Sequence, residues 1–369
     1  MYTIRDVARL ANVSVTTASA VINGKRTVKE ALRLRVTHAM EALDYHPDIV
    51  ARSLKVRRTN TVGIVIPDVT NPFYPEIMRG MEDVARRSGY SVFFCDSNED
   101  EELERNHLSA LFSRRVDGVV IAPANPYTVR DRLMRQRIPF VFYDRVPANF
   151  PGAAVVTDNF EASRQAVRYL IGLGHERIAI VIPGAHLAAI VERLEGFRQA
   201  LKEEHLAVRE DYIRGAKIPD ISPQSAYQYG LELLRLPDPP TAIFCANNRM
   251  TLGLMRALGE LRITCPECVS LLGFDDFDWA ASANPPVTTV AQPTYEIGKQ
   301  AMQLLVRKME GEKDELGLGG SHLIVLPSQL RIRKSTAPPP RVPSAKATLN
   351  VTPEPAVKHL KDLPEGRVL

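Results

Sequence analysis

Polar side chains follow several apolar runs in residues 61–275, where they could bind a small polar molecule. Asp144, Asp158, Asn247 and Asp275 each come directly after or close to the end of such a run. Because the carboxyl ends of parallel strands meet at one edge of a sheet, we expect these side chains to line a common cleft. Carboxylates and amides bind vicinal hydroxyls, and aromatic rings cover the apolar face of a sugar. These residue types therefore favour a polyol-like ligand.

The first 58 residues carry an excess of positive charge. They contain eleven Lys and Arg against five Asp and Glu, whereas the remaining residues contain 36 against 38. A small basic segment of this kind is typical of a domain that binds a polyanion. A solvated surface of mixed charge would have the same composition, so charge alone leaves both interpretations open.

Three short helices are predicted within this basic segment, at residues 4–11, 15–22 and 29–43. Thr3, with Asp6 as its partner, and Ser14 can cap the first two helices. Asn12 tolerates the left-handed backbone that a tight turn between them requires. This frame predicts a helix-turn-helix whose second helix enters the DNA major groove, with its amino end against a phosphate. A generic small helical bundle is the alternative.

The sequence gives no sign of a catalytic, metal or cofactor site. It contains no nucleophile elbow, phosphate-binding loop or dinucleotide fingerprint. Cys265 and Cys268 form a lone pair, whereas a zinc site needs two further ligands. Asp275 and Asp276 could act as an acid and a base, but no partner for them is evident. We therefore expect neither enzymatic activity nor a cofactor.

The composition is that of a globular chain with more than one domain. The chain has 369 residues, of which 45% are apolar and 24% are charged, so two or three domains are expected. No stretch approaches the roughly 18 apolar residues of a membrane span, and the first residues show no apolar signal segment. With only four cysteines, the cytoplasm is the expected compartment.

From residue 61, apolar runs alternate with amphipathic helices, which predicts buried parallel strands in βαβ units. The predicted strands are Val62–Ile66, Ser91–Cys95, Val116–Ile121, Phe140–Tyr143, Ala154–Val156, Ile178–Ile182, Ala242–Cys245 and Val269–Leu272. Their span is too long for one six-stranded sheet, so we expect two doubly wound lobes with a cleft between them. Residues 336–369 contain seven prolines and few large apolar residues, which predicts a disordered tail.

The segment IRDVARLANVSVTTASAVING, residues 4–24, resembles the opening of the LacI/GalR-type bacterial transcription regulators. Leu43–Pro47 and Val50–Leu54 resemble the segments that follow in that family, and the likeness covers about residues 3–335. In that family the 47–56 segment becomes a hinge helix on DNA, and the leucine that matches Leu54 wedges between base pairs. The DNA-binding residues that the resemblance implies are Thr3, Ser14, Val15, Thr16, Thr17, Ala20, Asn23, Arg26, Tyr45, Leu54 and Lys55.

The resemblance also implies a small-molecule effector in the cleft. The effector-binding residues that it implies are Phe73, Tyr74, Asp144, Asp158, Arg193, Asn247, Asp275 and Trp279. Alternatives exist for three of them: Arg193 and Asp275 could form a structural ion pair, and Trp279 could pack within a lobe. The loop at 183–190 is more apolar than the serine-rich form often seen, so the ligand is expected to be less hydroxylated than a simple hexose.

Three positions depart from the family pattern. Ala20 stands where arginine is most common, so the usual bidentate contact with guanine is lost and a methyl contact with thymine remains. Asp48 replaces the usual asparagine before the hinge and adds a negative charge near phosphates. Asn248 replaces the usual aspartate, which removes a charge that often fixes the following helix.

Together these features predict an all-α helix-turn-helix head and an α/β two-lobed core like that of the periplasmic binding proteins, with doubly wound parallel sheets. The predicted boundaries are 1–46 for the head, 47–60 for the hinge and linker, 61–335 for the core and 336–369 for the tail. The predicted function is a homodimeric, cytoplasmic transcription regulator, expected to be a repressor, that binds operator DNA under the control of a sugar-like effector. A small-molecule-binding protein without a transcriptional role is the alternative.

Overall fold

The computed structural model describes residues 2–22, 28–45, 58–147, 150–184, 187–215, 221–311 and 322–340. Over these ranges the chain forms a three-helix head and a core with two six-stranded sheets, which confirms the predicted architecture. The predictions for Asn23, Arg26, Asp48, Leu54 and Lys55 lie outside the described residues. Within the described ranges, no helix has the length and apolar character needed to cross a membrane.

The head contains α1 (Ile4–Leu10), α2 (Val15–Ile22) and α3 (Glu30–Ala42). Its small core is built from buried side chains of all three helices, including Val7, Ala18 and Val36. The turn between α1 and α2 places Asn12 at a φ of 48°, the left-handed conformation that the sequence predicted. Because this turn and the core fix α2 against α1, the head has the geometry of a helix-turn-helix.

The first lobe begins with a parallel sheet covered by helices. Its elements are β1 (Thr61–Ile66), α4 (Phe73–Arg87), β2 (Ser91–Asp96), α5 (Glu101–Ser113), β3 (Gly118–Ile121), α6 (Pro126–Gln136), β4 (Phe140–Tyr143) and β5 (Ala154–Thr157). Among these five strands the order is β5-β4-β3-β1-β2, so β2 lies at an edge of the sheet. Buried aliphatic runs on β1 and β3 explain why these strands lie in the centre.

The chain then crosses into the second lobe. Its elements are α7 (Asn159–Gly172), β6 (Ile178–Val181), α8 (Ala188–Glu203), a 3₁₀ turn (Glu210–Tyr212), β7 (Ile213–Arg214), α9 (Pro223–Leu234), β8 (Ala242–Cys245), α10 (Asn248–Glu260), β9 (Ser270–Phe274), α11 (Asp278–Ser282) and β10 (Thr288–Ala291). Strands β10, β9, β8, β6 and β7 are neighbours in that order and pair in parallel.

The first lobe is completed by residues that follow the second lobe in sequence. After β10 the chain crosses back to form α12 (Thr294–Glu310) and β11 (Leu323–Leu326), and β11 pairs with β5. A third crossing leads to β12 (Gln329–Arg331), which pairs antiparallel with β10. Helices α4 and α12 approach closely because Gly80 and Gly298 lie at their contact, where a Cβ atom would overlap the main chain of the other helix. Three crossings therefore join two lobes that are not continuous in sequence.

The structure corrects the predicted strands in two ways. The segment Ser91–Cys95 is not buried, because β2 pairs with β1 alone and leaves Phe93 and Phe94 41% and 47% exposed. Four strands at the edges of the sheets or next to them, β7, β10, β11 and β12, were not predicted, and β12 departs from the expected parallel pairing. Strands β7 and β12 have only two and three residues, and β10 is buried but begins with two threonines, so none of these three has a long apolar run. Strand β11 consists of four apolar residues but is only partly buried.

The predicted tail boundary at residue 336 falls inside a segment that is bound to the second lobe. The Ser335 hydroxyl donates to Leu271 O at 2.6 Å, and its side chain is buried. The main-chain N–H of Ala337 donates to Ser270 Oγ at 3.0 Å, and the carbonyl oxygen of Ala337 lies 2.8 Å from His175 Nε2. The segment bound to the second lobe therefore includes residues 335–337; residues 341–369 lie outside the described ranges.

Candidate functional site

The amino end of α2 is an exposed surface that is held rigidly. Ser14 Oγ accepts the main-chain N–H of Thr17 at 3.0 Å, so Ser14 caps the helix. The Ser14 and Thr17 hydroxyls also lie 2.8 Å apart. Val15 is 44% exposed and Thr16 is exposed beside it. A fixed helix end with one apolar and one hydroxyl side chain pointing outward can contact base edges.

The other predicted DNA contacts differ in their surroundings. Thr3 is exposed at the start of α1, where its hydroxyl and main-chain N–H both donate to Asp6 Oδ2, at 2.7 and 2.9 Å. These bonds lower the pKa of Asp6. Ala20 is half-buried, and Tyr45 packs in part against the core of the head. Of the predicted residues, Val15 and Thr16 are therefore the best exposed on the second helix.

A cavity of about 930 Å³ lies between the lobes and is lined by both. Its charged lining residues are Glu99, Glu101, Asp144, Arg145, Glu192 and Arg249. Tyr127, Val146 and Leu187 contribute apolar surface. The cleft that the sequence predicted between two doubly wound lobes is therefore present, with polar and apolar walls suited to a small molecule.

Asp144 lies where β4 ends, at a φ of 58°, which turns its carboxylate into the cleft. It accepts a hydrogen bond from the Tyr74 hydroxyl at 3.2 Å. Burial is the main cause of a raised pKa at both Asp144 and Tyr74. Phe73 is buried and its ring lies edge-on to that of Tyr74, with the ring centroids 5.1 Å apart. Phe73 thus supports Tyr74 from the first-lobe core.

Arg193 and Asp275 are both buried in the second lobe. In the described part of the chain, no ion pair joins them. The Arg193 guanidinium donates to Asn159 Oδ1 at 2.9 Å and to Ala246 O at 2.6 Å, and stacks 3.6 Å over the Phe274 ring. Burial lowers the pKa of Arg193, and nearby carboxylates oppose this shift.

The Asp275 carboxylate accepts from Gln292 Nε2 at 2.6 Å and from the main-chain N–H of Asn248 at 3.2 Å. Burial raises the pKa of Asp275, and the charge of Arg193 opposes this shift. The predicted alternative of a direct structural ion pair with Arg193 therefore does not hold, although the two charges still influence each other.

Of the eight predicted effector residues, Asp144 lines the cavity and the other seven do not: Phe73, Tyr74, Asp158, Arg193, Asn247, Asp275 and Trp279. Asp158 caps α7 through the main-chain N–H of Glu161 at 3.1 Å, and Asn247 caps α10 through that of Met250 at 2.8 Å. Trp279 packs against the apolar cluster beneath α10 in the second lobe, and its indole N–H has no partner among the described residues. The stacking role predicted for Trp279 does not fit this position, which corresponds to the packing alternative.

Sequence reasoning missed the residues that connect the lobes across the cleft. The Asn248 side-chain amide donates to Asn71 Oδ1 at 2.9 Å. Arg249 forms a salt bridge with Asp68 and also donates to Thr70 Oγ1 at 2.9 Å. Their positions could have indicated this role, because each residue follows the end of a strand that the sequence had already predicted. These contacts show that the loop after β1 and the start of α10 form one interlobe contact.

Comparisons with known proteins agree with both parts of the structure. Residues 3–48 match the model of the bacterial regulatory proteins of the lacI family, and residues 167–336 match the periplasmic binding protein-like domain. The HTH-type transcriptional repressor PurR of Vibrio atlanticus (strain LGP32) is 36% identical over 318 residues, which are 85% of this chain and 94% of that protein. The chain belongs to the lacI family.

Solved structures of lacI family proteins extend this comparison. The lac repressor dimer bound to operator and the anti-inducer ONPF matches with a TM-score of 0.80 and 25% identity, over 91% of this chain and 99% of that one. A LacI family regulator from Enterococcus faecium with bound ribose matches with a TM-score of 0.66 and 33% identity, over 75% and 99%. Within the family pattern, Asn248 is the departure with a visible consequence, because a carboxylate at this position could not donate to Asn71.

Proposed function

We propose that this protein is a sequence-specific transcriptional repressor that binds operator DNA and responds to a sugar-like effector in the interlobe cleft. The observation that carries the proposal is the capped, exposed amino end of α2, where Val15 and Thr16 project from a fixed helix-turn-helix. Chromosomal DNA is in the cytoplasm, so we expect the protein to act there. Asn23, Arg26, Leu54 and Lys55 remain predicted DNA contacts on the strength of the family pattern.

A homodimer is part of this proposal. The outer edge of β2 has no strand partner among the described residues and presents Phe93 and Phe94 to solvent. An unpaired edge with two exposed aromatic side chains is a surface that a monomer rarely leaves uncovered. A second copy would cover it, in keeping with the dimeric lac repressor structure that the chain resembles.

Effector control would act through the contacts that span the cleft. Asp144 and Tyr74 belong to the first lobe, whereas Arg193 and Asp275 belong to the second, so a ligand that contacts both groups favours one lobe spacing. A ligand can shift such an equilibrium only by its difference in affinity for the two spacings. We propose Asp144, which lines the cavity, as an effector-binding residue, and we add Tyr74, Arg193 and Asp275 on the strength of the family pattern, with Asp158 and Asn247 holding the adjoining helices.

The DNA-binding part is tested by selecting genomic fragments with the full-length protein and measuring affinity for the enriched site. We expect Thr16→Ala to lower the affinity for the enriched site about tenfold or more, since a good base contact is worth about 1–3 kcal/mol. The affinity for random DNA should change little. Thr37→Ala, at an exposed position on α3, is the matched control and should bind normally. Failure to enrich any site would contradict the repressor function and favour a small-molecule-binding protein.

A further inference from the structure

The interlobe cleft contains more negative than positive charge. The charged side chains that line its cavity are Glu99, Glu101, Asp144, Arg145, Glu192 and Arg249. Four carboxylates thus face two guanidinium groups. Whether a ligand experiences this excess depends on how each charge is already paired within the protein.

Both arginines of the cavity are engaged with carboxylates of the first lobe. Arg145 donates from its two terminal nitrogens to the two carboxylate oxygens of Glu99, each at 2.6 Å. Arg249 forms a salt bridge with Asp68, which does not line the cavity, and donates to Thr70. Their positive charges are therefore neutralised within the protein before a ligand binds.

Asp144 and Glu192 have much weaker partners. Asp144 accepts from the Tyr74 hydroxyl at 3.2 Å, and Arg145 Nε is 3.9 Å away, beyond hydrogen-bonding distance. In the described part of the chain, Glu192 accepts only from Asn159 Nδ2, at 3.3 Å. Burial raises the pKa of both carboxyl groups, and the charge of Arg193 opposes this shift at each of them without a hydrogen bond to either. Both carboxylates therefore retain capacity to accept hydrogen bonds from a ligand.

A donor without a partner lies beside Asp144. The Arg145 side chain is 5% exposed, and its Nε–H has no hydrogen-bond partner among the described residues. A ligand hydroxyl can accept from this N–H and donate to Asp144 at the same time. A phosphate or carboxylate could accept from Nε, but it has no proton to donate and would add negative charge beside Asp144 and Glu192.

Helix amino ends also reach the cavity and would favour an anion. However, the first-turn N–H groups of α6 and α9 are already bound by the side chains of Asn125 and Ser222. The amino end of α8, at Ala188, contributes about half a unit of positive charge. This is less than the charge of the two carboxylates that lack a hydrogen-bonded cation. The charge of Arg193 acts on both of them, but the carboxylate of Asp275 acts on Arg193 in turn, so the balance remains negative.

We propose that the cleft selects a polyhydroxy ligand that is neutral or carries an amine, and rejects the phosphorylated and carboxylated counterparts of that ligand. The inference rests on the proposed function in taking the cleft as the effector site, and it adds the charge class of the effector. Asp144 and Glu192 accept from ligand hydroxyl or amine groups, and Arg145 Nε donates. The ring of Tyr127 and the side chains of Val146 and Leu187 give the ligand an apolar wall.

The test compares compounds that differ in one charged group, with the full-length protein. D-glucose and D-glucosamine are compared with glucose 6-phosphate and gluconate, and D-ribose with ribose 5-phosphate, by thermal shift and calorimetric titration. A ligand of the native state raises the melting temperature. We expect a neutral or amine-bearing compound to bind best and its acidic counterpart to bind at least tenfold more weakly. An acidic compound that binds more tightly than its neutral counterpart overturns the proposal.

Matched variants identify the cause of the selection. Glu192→Gln removes one charge and keeps an acceptor oxygen. We therefore expect the ratio of the affinities for a neutral sugar and for its phosphate to fall at least threefold. Glu195 lies on the same helix but pairs at the surface with Arg198, so Glu195→Gln should leave this affinity ratio unchanged. An unchanged affinity ratio in Glu192→Gln overturns the role of Glu192 in selecting the charge of the ligand. If no compound binds, the ligand class is wrong, whereas operator binding by the same preparation would still support the repressor function.

Discussion

Asn248 in the second lobe donates its side-chain amide to Asn71 Oδ1 in the first lobe, at 2.9 Å. The same Asn71 oxygen accepts the main-chain N–H of Phe73 at 3.1 Å, which fixes the orientation of the Asn71 amide. The main-chain N–H of Asn248 donates to Asp275 at 3.2 Å. One residue therefore connects the loop after β1 in the first lobe with the buried carboxylate that follows β9 in the second.

Asn248→Asp is expected to weaken the contact between the lobes. A carboxylate cannot donate to Asn71, and it would add negative charge beside Asp275. Leaving such a buried group without its partner costs about 1–3 kcal/mol, enough to change the population of the closed form by tenfold or more. Small-angle scattering should show a larger radius of gyration without ligand. Asn106→Asp, at an exposed position on α5, is the control, and identical scattering from all three proteins would contradict the prediction.

Asn12 is expected to be replaceable by glycine but not by valine. Its φ of 48° is open to glycine, whereas a β-branched residue is strained there by about 1–2 kcal/mol. Because this turn orients α2, Asn12→Val should lower affinity for the enriched DNA site about tenfold, and Asn12→Gly should retain it. Fluorescence anisotropy with labelled DNA measures both. Equal affinity of the two variants would mean that the turn does not position the second helix.

Two truncations should separate the bound segment from the rest of the C-terminal region. A chain that ends after Pro340 keeps the bonds of Ser335 and Ala337 to the second lobe, so its melting temperature should match that of the full chain. A chain that ends after Lys334 loses these bonds and leaves buried groups of Leu271 and His175 without them, so it should melt several degrees lower. Equal melting temperatures would show that the segment adds no stability.

Phe94→Glu should shift the protein from dimer to monomer. A carboxylate on the exposed edge strand would have to be buried against a second copy, or the copies would separate. Analytical ultracentrifugation should show a dimer dissociation constant at least tenfold larger than that of the unmodified chain. Phe160→Glu is a matched control, because Phe160 on α7 is 39% exposed, close to the 47% of Phe94. Dissociation by both variants, or by neither, would place the interface elsewhere.

Glu104 should make stability depend on pH. Its side chain is buried at the start of α5, where burial raises the pKa to about 7. Because this pKa exceeds that of the unfolded chain, the stabilising contribution of the protonated form is complete below about pH 4.5 and is lost as the pH rises through 7. Glu104→Gln should therefore raise the melting temperature at pH 8 more than at pH 5. Glu102 is exposed on the same helix, so Glu102→Gln should raise the melting temperature at neither pH.

The sequence predicted features whose cause is local. The cap at Ser14, the left-handed turn at Asn12 and the central strands such as β1 and β8 follow from residue type and apolar pattern over a few positions. The presence of two doubly wound lobes also follows, because the βαβ alternation spans too many residues for one six-stranded sheet.

Other features depend on contacts between distant segments. The return of α12 and β11 to the first lobe, and the binding of Ser335 to Leu271, join parts of the chain that no local pattern relates. Trp279 illustrates the same limit at the cleft: its position near a strand end suggested a ligand contact, but the short α11 turns the ring into the second-lobe core. The partner of a charged group such as Arg249 is likewise set by the other lobe.

The division of the first lobe between two stretches of sequence has a consequence for synthesis on the ribosome. Helix α4 packs its apolar face on α12 through Ile77, Met81, Ile297 and Ala301. The α12 segment emerges roughly two hundred residues after α4, which at typical rates is on the order of ten seconds or more. During that interval the second lobe can fold while α12 and β11 of the first lobe have not yet been synthesised. The nascent chain therefore carries an exposed apolar surface that chaperones can bind, and a message truncated before residue 294 yields a product that keeps this surface permanently.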